Sequence, residues 1–196
     1  MKAVIGAIVA IVVLVVGGYF YNLQREAAKW QNAKEIDEAT FTRSDNTTTA
    51  RFVGVVDGPI DKVQEALWDV EHGAGTIENI QLSNLIRQEG NTKEIEMHLK
   101  ALNLPLQHFK MEFTLHPAEH RISFKTTESQ LQDLQGDYLL EASPDGKRTR
   151  VIYEFKGKDK VAIPFPSSVL ESANKETFVH TIRGLSKRVK GAPAAG

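Results

Sequence analysis

Three patterns of apolar and polar positions follow one another along this chain: an unbroken apolar block, a region of strict alternation, and a helical stripe. The first, residues 3–21, reads AVIGAIVAIVVLVVGGYFY, and no charged residue occurs between positions 3 and 24. As a helix at ~1.5 Å per residue it spans ~28 Å, the thickness of a bilayer's hydrocarbon core. Tyr19, Phe20 and Tyr21 close it, where aromatic rings favour the membrane interface. A cleaved signal peptide has a shorter apolar region and a small-x-small site, whereas Gly17-Gly18 runs straight into bulky aromatics. The block therefore predicts an uncleaved single-pass anchor over residues 1–24. Lys2 ahead of it places the N-terminus in the cytoplasm and the bulk of the chain outside it.

The alternating region predicts strands. Ile95, Met97, Leu99 and Ala101 fall on one face, with Glu94, Glu96, His98 and Lys100 on the other. Phe109, Met111, Phe113 and Leu115 alternate with His108, Lys110, Glu112 and Thr114. Ile122 and Phe124, and later Val151, Tyr153 and Phe155, repeat the pattern. Strands are expected at 51–56, 81–88, 92–101, 106–115, 121–127, 137–142 and 148–156. The turn signals between them, among them Glu89-Gly90-Asn91 and Pro144-Asp145-Gly146, are short, so the sheet is an antiparallel meander. One face is apolar and bulky and the other is wet.

Two helices complete the pattern. Pro59 opens a short one, with Ile60, Val63, Leu67 and Val70 at helical spacing, and a further helical turn is expected over 76–80. Phe178, Ile182, Leu185 and Val189 form an i, i+4, i+7, i+11 stripe on a long helix over 167–189, with Asn174 and Thr181 beside it. That helix is the element able to cover the apolar face. The fold class is α+β, a curved antiparallel sheet around a long C-terminal helix. Residues 25–49 are expected to be a juxtamembrane stalk and linker, 50–190 the domain, and 191–196 a disordered tail. The apolar, proline-rich stretch 161–166 is placed to line an entrance.

Composition narrows the function. Lys plus Arg is 24 against 25 for Asp plus Glu, a net charge of −1, which argues against a nucleic-acid binder. The absence of cysteine excludes disulfides, thiol nucleophiles and Cys-ligated metals. The six histidines show no metal-ligand spacing, so no metal is expected and surface positions account for them. His72-Gly73-Ala74-Gly75 is too short for a phosphate loop and reads as a hinge. No cofactor fingerprint or nucleophilic triad is present.

Three stretches resemble the START-like, or helix-grip, superfamily, whose members include Bet v 1, polyketide cyclase/dehydrase and lipid-transport domains. GPIDKVQEALWDVEH (58–72) is similar to its first helical segment. DLQGDYLLEASPDGKRTRVIYEF (133–155) is similar to its penultimate hairpin, and IPFPSSVLESANKETFVHTIRGLSKRV (163–189) to its proline loop and closing helix. Within the superfamily the chain most resembles polyketide cyclase/coenzyme Q-binding type domains. It departs at 76–82, which lacks the tryptophan–proline type segment many members carry. The resemblance implies a cavity between sheet and helix that takes a lipid, quinone or polyketide-like molecule. It places Ile95, Met97, Leu99, Phe109, Met111, Phe113, Phe124, Tyr138, Tyr153, Phe155, Asn174, Phe178 and Thr181 around the ligand. Tyr138 and Tyr153 are the candidates for polarising a ligand carbonyl if the domain is a cyclase or dehydratase. A solid core serving protein interactions in the envelope is the third alternative. The implied partners are a hydrophobic ligand and the membrane; the oligomeric state is left open.

Overall fold

The computed structural model describes Tyr21, Trp30, residues 35–101 and residues 104–191. The described residues from Glu35 onward belong to one compact unit. Apart from Tyr21, the expected membrane segment at 3–21 lies outside the described residues, as does the tail beyond residue 191. Among the described residues no helix is long and apolar enough to cross a membrane.

Eight strands and two helices make up the unit. They are β1 (Glu38–Ser44), β2 (Thr47–Asp57), α1 (Ile60–Trp68), β3 (Ile80–Glu89), β4 (Thr92–Leu99), β5 (Gln107–His116), β6 (Arg121–Ser129), β7 (Gln132–Ala142), β8 (Arg148–Asp159) and α2 (Ser167–Val189). All strand pairs are antiparallel, in the order β1-β2-β8-β7-β6-β5-β4-β3. The sheet curves, and α2 packs against it.

The alternation read from sequence is the alternation observed. Ile95, Met97, Phe109, Met111, Phe113, Ile122, Phe124, Val151 and Phe155 are all buried. On α2, Phe178, Ile182 and Leu185 are buried in the same cluster, joined by Val63 and Leu67 of α1. Helix α1 ends at Trp68, two residues earlier than its apolar spacing implies, and Val70–His72 continues as a 3₁₀ turn. The helical turn expected over 76–80 is a run of hydrogen-bonded turns that leads into β3.

The largest difference from the sequence reading is β1. Glu38–Ser44 falls within the segment expected as stalk and linker, yet it pairs along its whole length with β2, from Glu38↔Val53 to Ser44↔Thr47. An edge strand is buried from one side only, so EATFTRS needs few apolar residues. The threonine run that reads as linker is the start of β2, and Thr48 is 2% exposed. Polar contacts hold the edge. Glu38 accepts from Arg51 at 2.5 Å and from Arg150 at 3.0 Å, and the Arg51 hydrogen bond holds its carboxyl below the usual range. Strand β7 likewise starts at Gln132, inside a stretch expected as loop.

Gly136 on β7 is crowded by its neighbouring strands. It lies between Phe124 on β6 and Phe155 on β8, and an added Cβ would meet Glu154 O at 2.1 Å, the Phe124 ring at 2.8 Å and Phe155 Cα at 2.8 Å. Two of those three contacts are with backbone, which cannot rotate away. Gly136→Ala is therefore expected to cost about 1–3 kcal/mol by overpacking, read as a shifted midpoint of urea unfolding. An unshifted midpoint would show that β7 has room the geometry denies.

Candidate functional site

Between the concave face and α2 lies a cavity of about 320 Å³. This volume falls in the ordinary range for small-molecule sites, roughly 300–1,000 Å³. The sheet contributes Met97, Leu99, Phe109, Met111, Phe113, Phe124, Tyr138 and Tyr153, and α2 contributes Asn174 and Thr181. These ten expected site residues are brought together around one space. The other three are not among its lining: Ile95, Phe155 and Phe178 are buried at 0%, 5% and 1% exposure and pack in the surrounding core. Phe178 packs behind the cavity, tilted on Phe52 and stacked on Tyr153, with ring centroids 5.7 and 6.2 Å apart.

Several lining residues were not anticipated. Leu67 and Val70 from α1 and its 3₁₀ turn, Ile77 and Ile80 from the following segment, and Leu185 from α2 close one end. The helical spacing of Leu67 and Val70 marks a buried face, but sequence alone does not say that the face looks into a void. The other end reaches the surface beside Pro105 and residues 161–165. There Leu104, Leu170 and Ala173 form a second small apolar cluster with Ile163 and Phe165. Leu106 and Val161 stand exposed beside it, at 37% and 47%. The stretch 161–166 thus lies at the mouth.

Two groups stand out among the polar side chains facing this space, which also include Asp69, Gln107 and Gln132. Those on α2 are satisfied by their own helix: Asn174 donates to Leu170 O at 2.8 Å, Thr177 to Ala173 O and Thr181 to Thr177 O, both at 2.9 Å. Arg188 is spent on carbonyls, donating to Ala66 O at 2.9 Å, to Asp69 O at 2.7 Å and to His72 O. It thereby satisfies the orphan carbonyls at the end of α1 and ties α1 to α2. Lys93 finishes the same junction, with its ammonium 2.7 Å from the Glu71 carboxylate and 4.6 Å above the Trp68 ring.

Tyr138 and Tyr153 form the second group. They are direct cross-strand partners on β7 and β8, with stacked rings 4.6 Å apart. Among the described residues neither hydroxyl has a hydrogen-bond partner, while Phe124 packs on both rings. Burial pushes both phenols well above the usual tyrosine range, and their proximity raises Tyr153 further. Both are neutral donors at physiological pH and neither can serve as a base. An acceptor on a bound molecule would pair with either hydroxyl.

No known protein-family profile matches the chain, and no curated protein matches it. Solved structures do. The Zhui aromatase/cyclase from Streptomyces sp. R1128 superposes with a TM-score of 0.64 at 16% identity, covering 76% of this chain and 99% of that one. A START superfamily protein from Mycobacterium smegmatis gives 0.59 at 13% identity, over 74% and 99%. The human StarD13 lipid transfer and protein localization domain gives 0.54 at 17% identity, over 85% and 95%. The fold is the START-like helix-grip fold.

Proposed function

We propose that this chain is a membrane-tethered START-like domain that binds a hydrophobic ligand between its sheet and α2. One observation carries the reading: an apolar cavity of about 320 Å³, open at one end, where a solid core would be filled. Met97, Met111 and the phenylalanines around it suit a greasy, flexible guest. The ligand is a lipid, an isoprenoid quinone or a polyketide-like molecule. Such compounds are met at a bilayer, and a tether at residues 3–21 raises the local concentration of site and ligand together. The folded unit then lies on the non-cytoplasmic side. The superfamily resemblance and the lipid-transfer and cyclase names of the structural neighbours support this reading.

Native mass spectrometry of the full chain, gently extracted from its host membrane, is the direct test. A co-purified apolar mass is expected, and a chain that is consistently empty would overturn the proposal. Deleting residues 1–24 is expected to move the protein from the membrane pellet to the soluble fraction; retention in the pellet would remove the tether.

The phenols set a further expectation. A ligand carbonyl accepting from either one gains about 0.5–1.5 kcal/mol. Tyr138→Phe and Tyr153→Phe should each weaken a carbonyl-bearing ligand up to about tenfold. The same variants should leave a pure hydrocarbon of equal size unaffected. Equal losses for both ligands would show that the rings matter and the hydroxyls do not.

A further inference from the structure

We propose that the outer face of the β4–β5 hairpin carries a transition-metal site built on His98 and His108. The two residues are register partners on adjacent strands, on the face opposite the cavity. His98 Nε2 and His108 Nδ1 lie 2.9 Å apart, and the ring centroids lie 4.0 Å apart. Ten residues separate them in sequence, so the helical spacing that normally betrays a histidine pair is missing. Strand pairing supplies the juxtaposition instead.

At this distance one facing nitrogen carries a proton and the other offers its lone pair. Moving that proton to the far nitrogen of the same ring frees the lone pairs of both facing nitrogens. Two nitrogens bound to a single ion at ~2.0–2.1 Å are ~2.9–3.4 Å apart between a right-angled and a tetrahedral geometry. The observed separation sits at the close end of that range. Small side-chain rotations suffice, and both Cα atoms are already fixed by paired strands.

The surroundings favour a cation. Glu96, two residues before His98 on the same face, brings a carboxylate oxygen to 3.8 Å from His98 Nε2. Water completes the shell around the two imidazoles. Of the nearby cations, Lys110 pairs with Glu128, and Arg87 with Glu89 and Glu94. Imidazole selects zinc, copper or nickel over magnesium and calcium. A bound ion would also brace the hairpin one register step from Leu99 and Gln107, which line the cavity near its mouth.

A second cluster, Asp69, Glu71 and His72, brings its ligand atoms within 4.8 Å of one another. It is already neutralised, because Lys93 holds Glu71 at 2.7 Å and Arg188 lies 3.5 Å from Asp69. A metal there would face two resident cations, so it serves as the control.

The test is calorimetric titration of the untagged full chain in detergent micelles with zinc chloride, then with copper(II) chloride. One ion per chain is expected. His98→Ala and His108→Ala should each weaken binding at least ~tenfold, and His72→Ala should leave it unchanged. A measurement on the wild type guards against variants that misfold: in imidazole ¹H–¹⁵N spectra, zinc should shift two of the six histidine rings. No uptake below ~1 mM metal, wild-type affinity in both alanine variants, or zinc shifts confined to other rings would each overturn the site.

Discussion

Phe178→Ala is expected to lower the free energy of unfolding by about 3–5 kcal/mol, the cost of removing a fully buried aromatic side chain. Phe178 is 1% exposed at the middle of α2, and it touches Phe52 on β2 and Tyr153 on β8. It is the peg by which the helix grips the central strands. Its ring lies outside the lining of the cavity, so truncation opens a new void behind Tyr153 instead of enlarging a site already shaped for a guest. The neighbours can relax only partly, because Phe52 is itself fully buried and Tyr153 is held by four further rings. Urea unfolding followed by tryptophan fluorescence measures the effect: the midpoint should fall with little change in slope. A loss below about 1 kcal/mol would mean that α2 is held chiefly by its ends, through Arg188 and the Leu170–Ala173 cluster.

Phe178 also marks the boundary of what the sequence reveals. Periodicity shows which side chains point inward, because a period of two or 3.6 is a local property. It does not distinguish an inward residue that packs from one that faces empty space. Ile95, Phe155 and Phe178 pack, while Met97, Tyr153 and Thr181 face the cavity, although the same stripes carry both sets. The difference is made by how the curved sheet and α2 pack across the chain, which depends on contacts distant in sequence. β1 was hidden for a related reason. Its partner is β2, and pairing partners leave no periodic trace in so polar a strand. The His98–His108 pair follows the same rule, since only the register of β4 on β5 brings the rings together.

Ala173→Trp should abolish ligand binding, a loss of at least ~100-fold or ~2.7 kcal/mol, while leaving the fold in place. Ala173 is 3% exposed on α2, lines the cavity, and belongs to the apolar cluster at its mouth with Leu104 and Leu170. The native methyl group leaves the cavity open beside that cluster. An indole at this position has no outward path, because the helix backbone lies behind it and Leu170 beside it. Its ring must enter the cavity and occupy the volume a ligand needs. The stability cost stays near about 1–3 kcal/mol, since the added bulk enters existing space instead of a packed core. Ser172→Trp is the matched control: it adds the same side chain one position earlier, on the exposed face of α2. Native mass spectra of the two variants separate the outcomes. If Ser172→Trp retains the bound mass and Ala173→Trp loses it, the ligand lies between sheet and helix. If both retain it, the ligand is held on the outside, and the cavity is a packing defect with no guest.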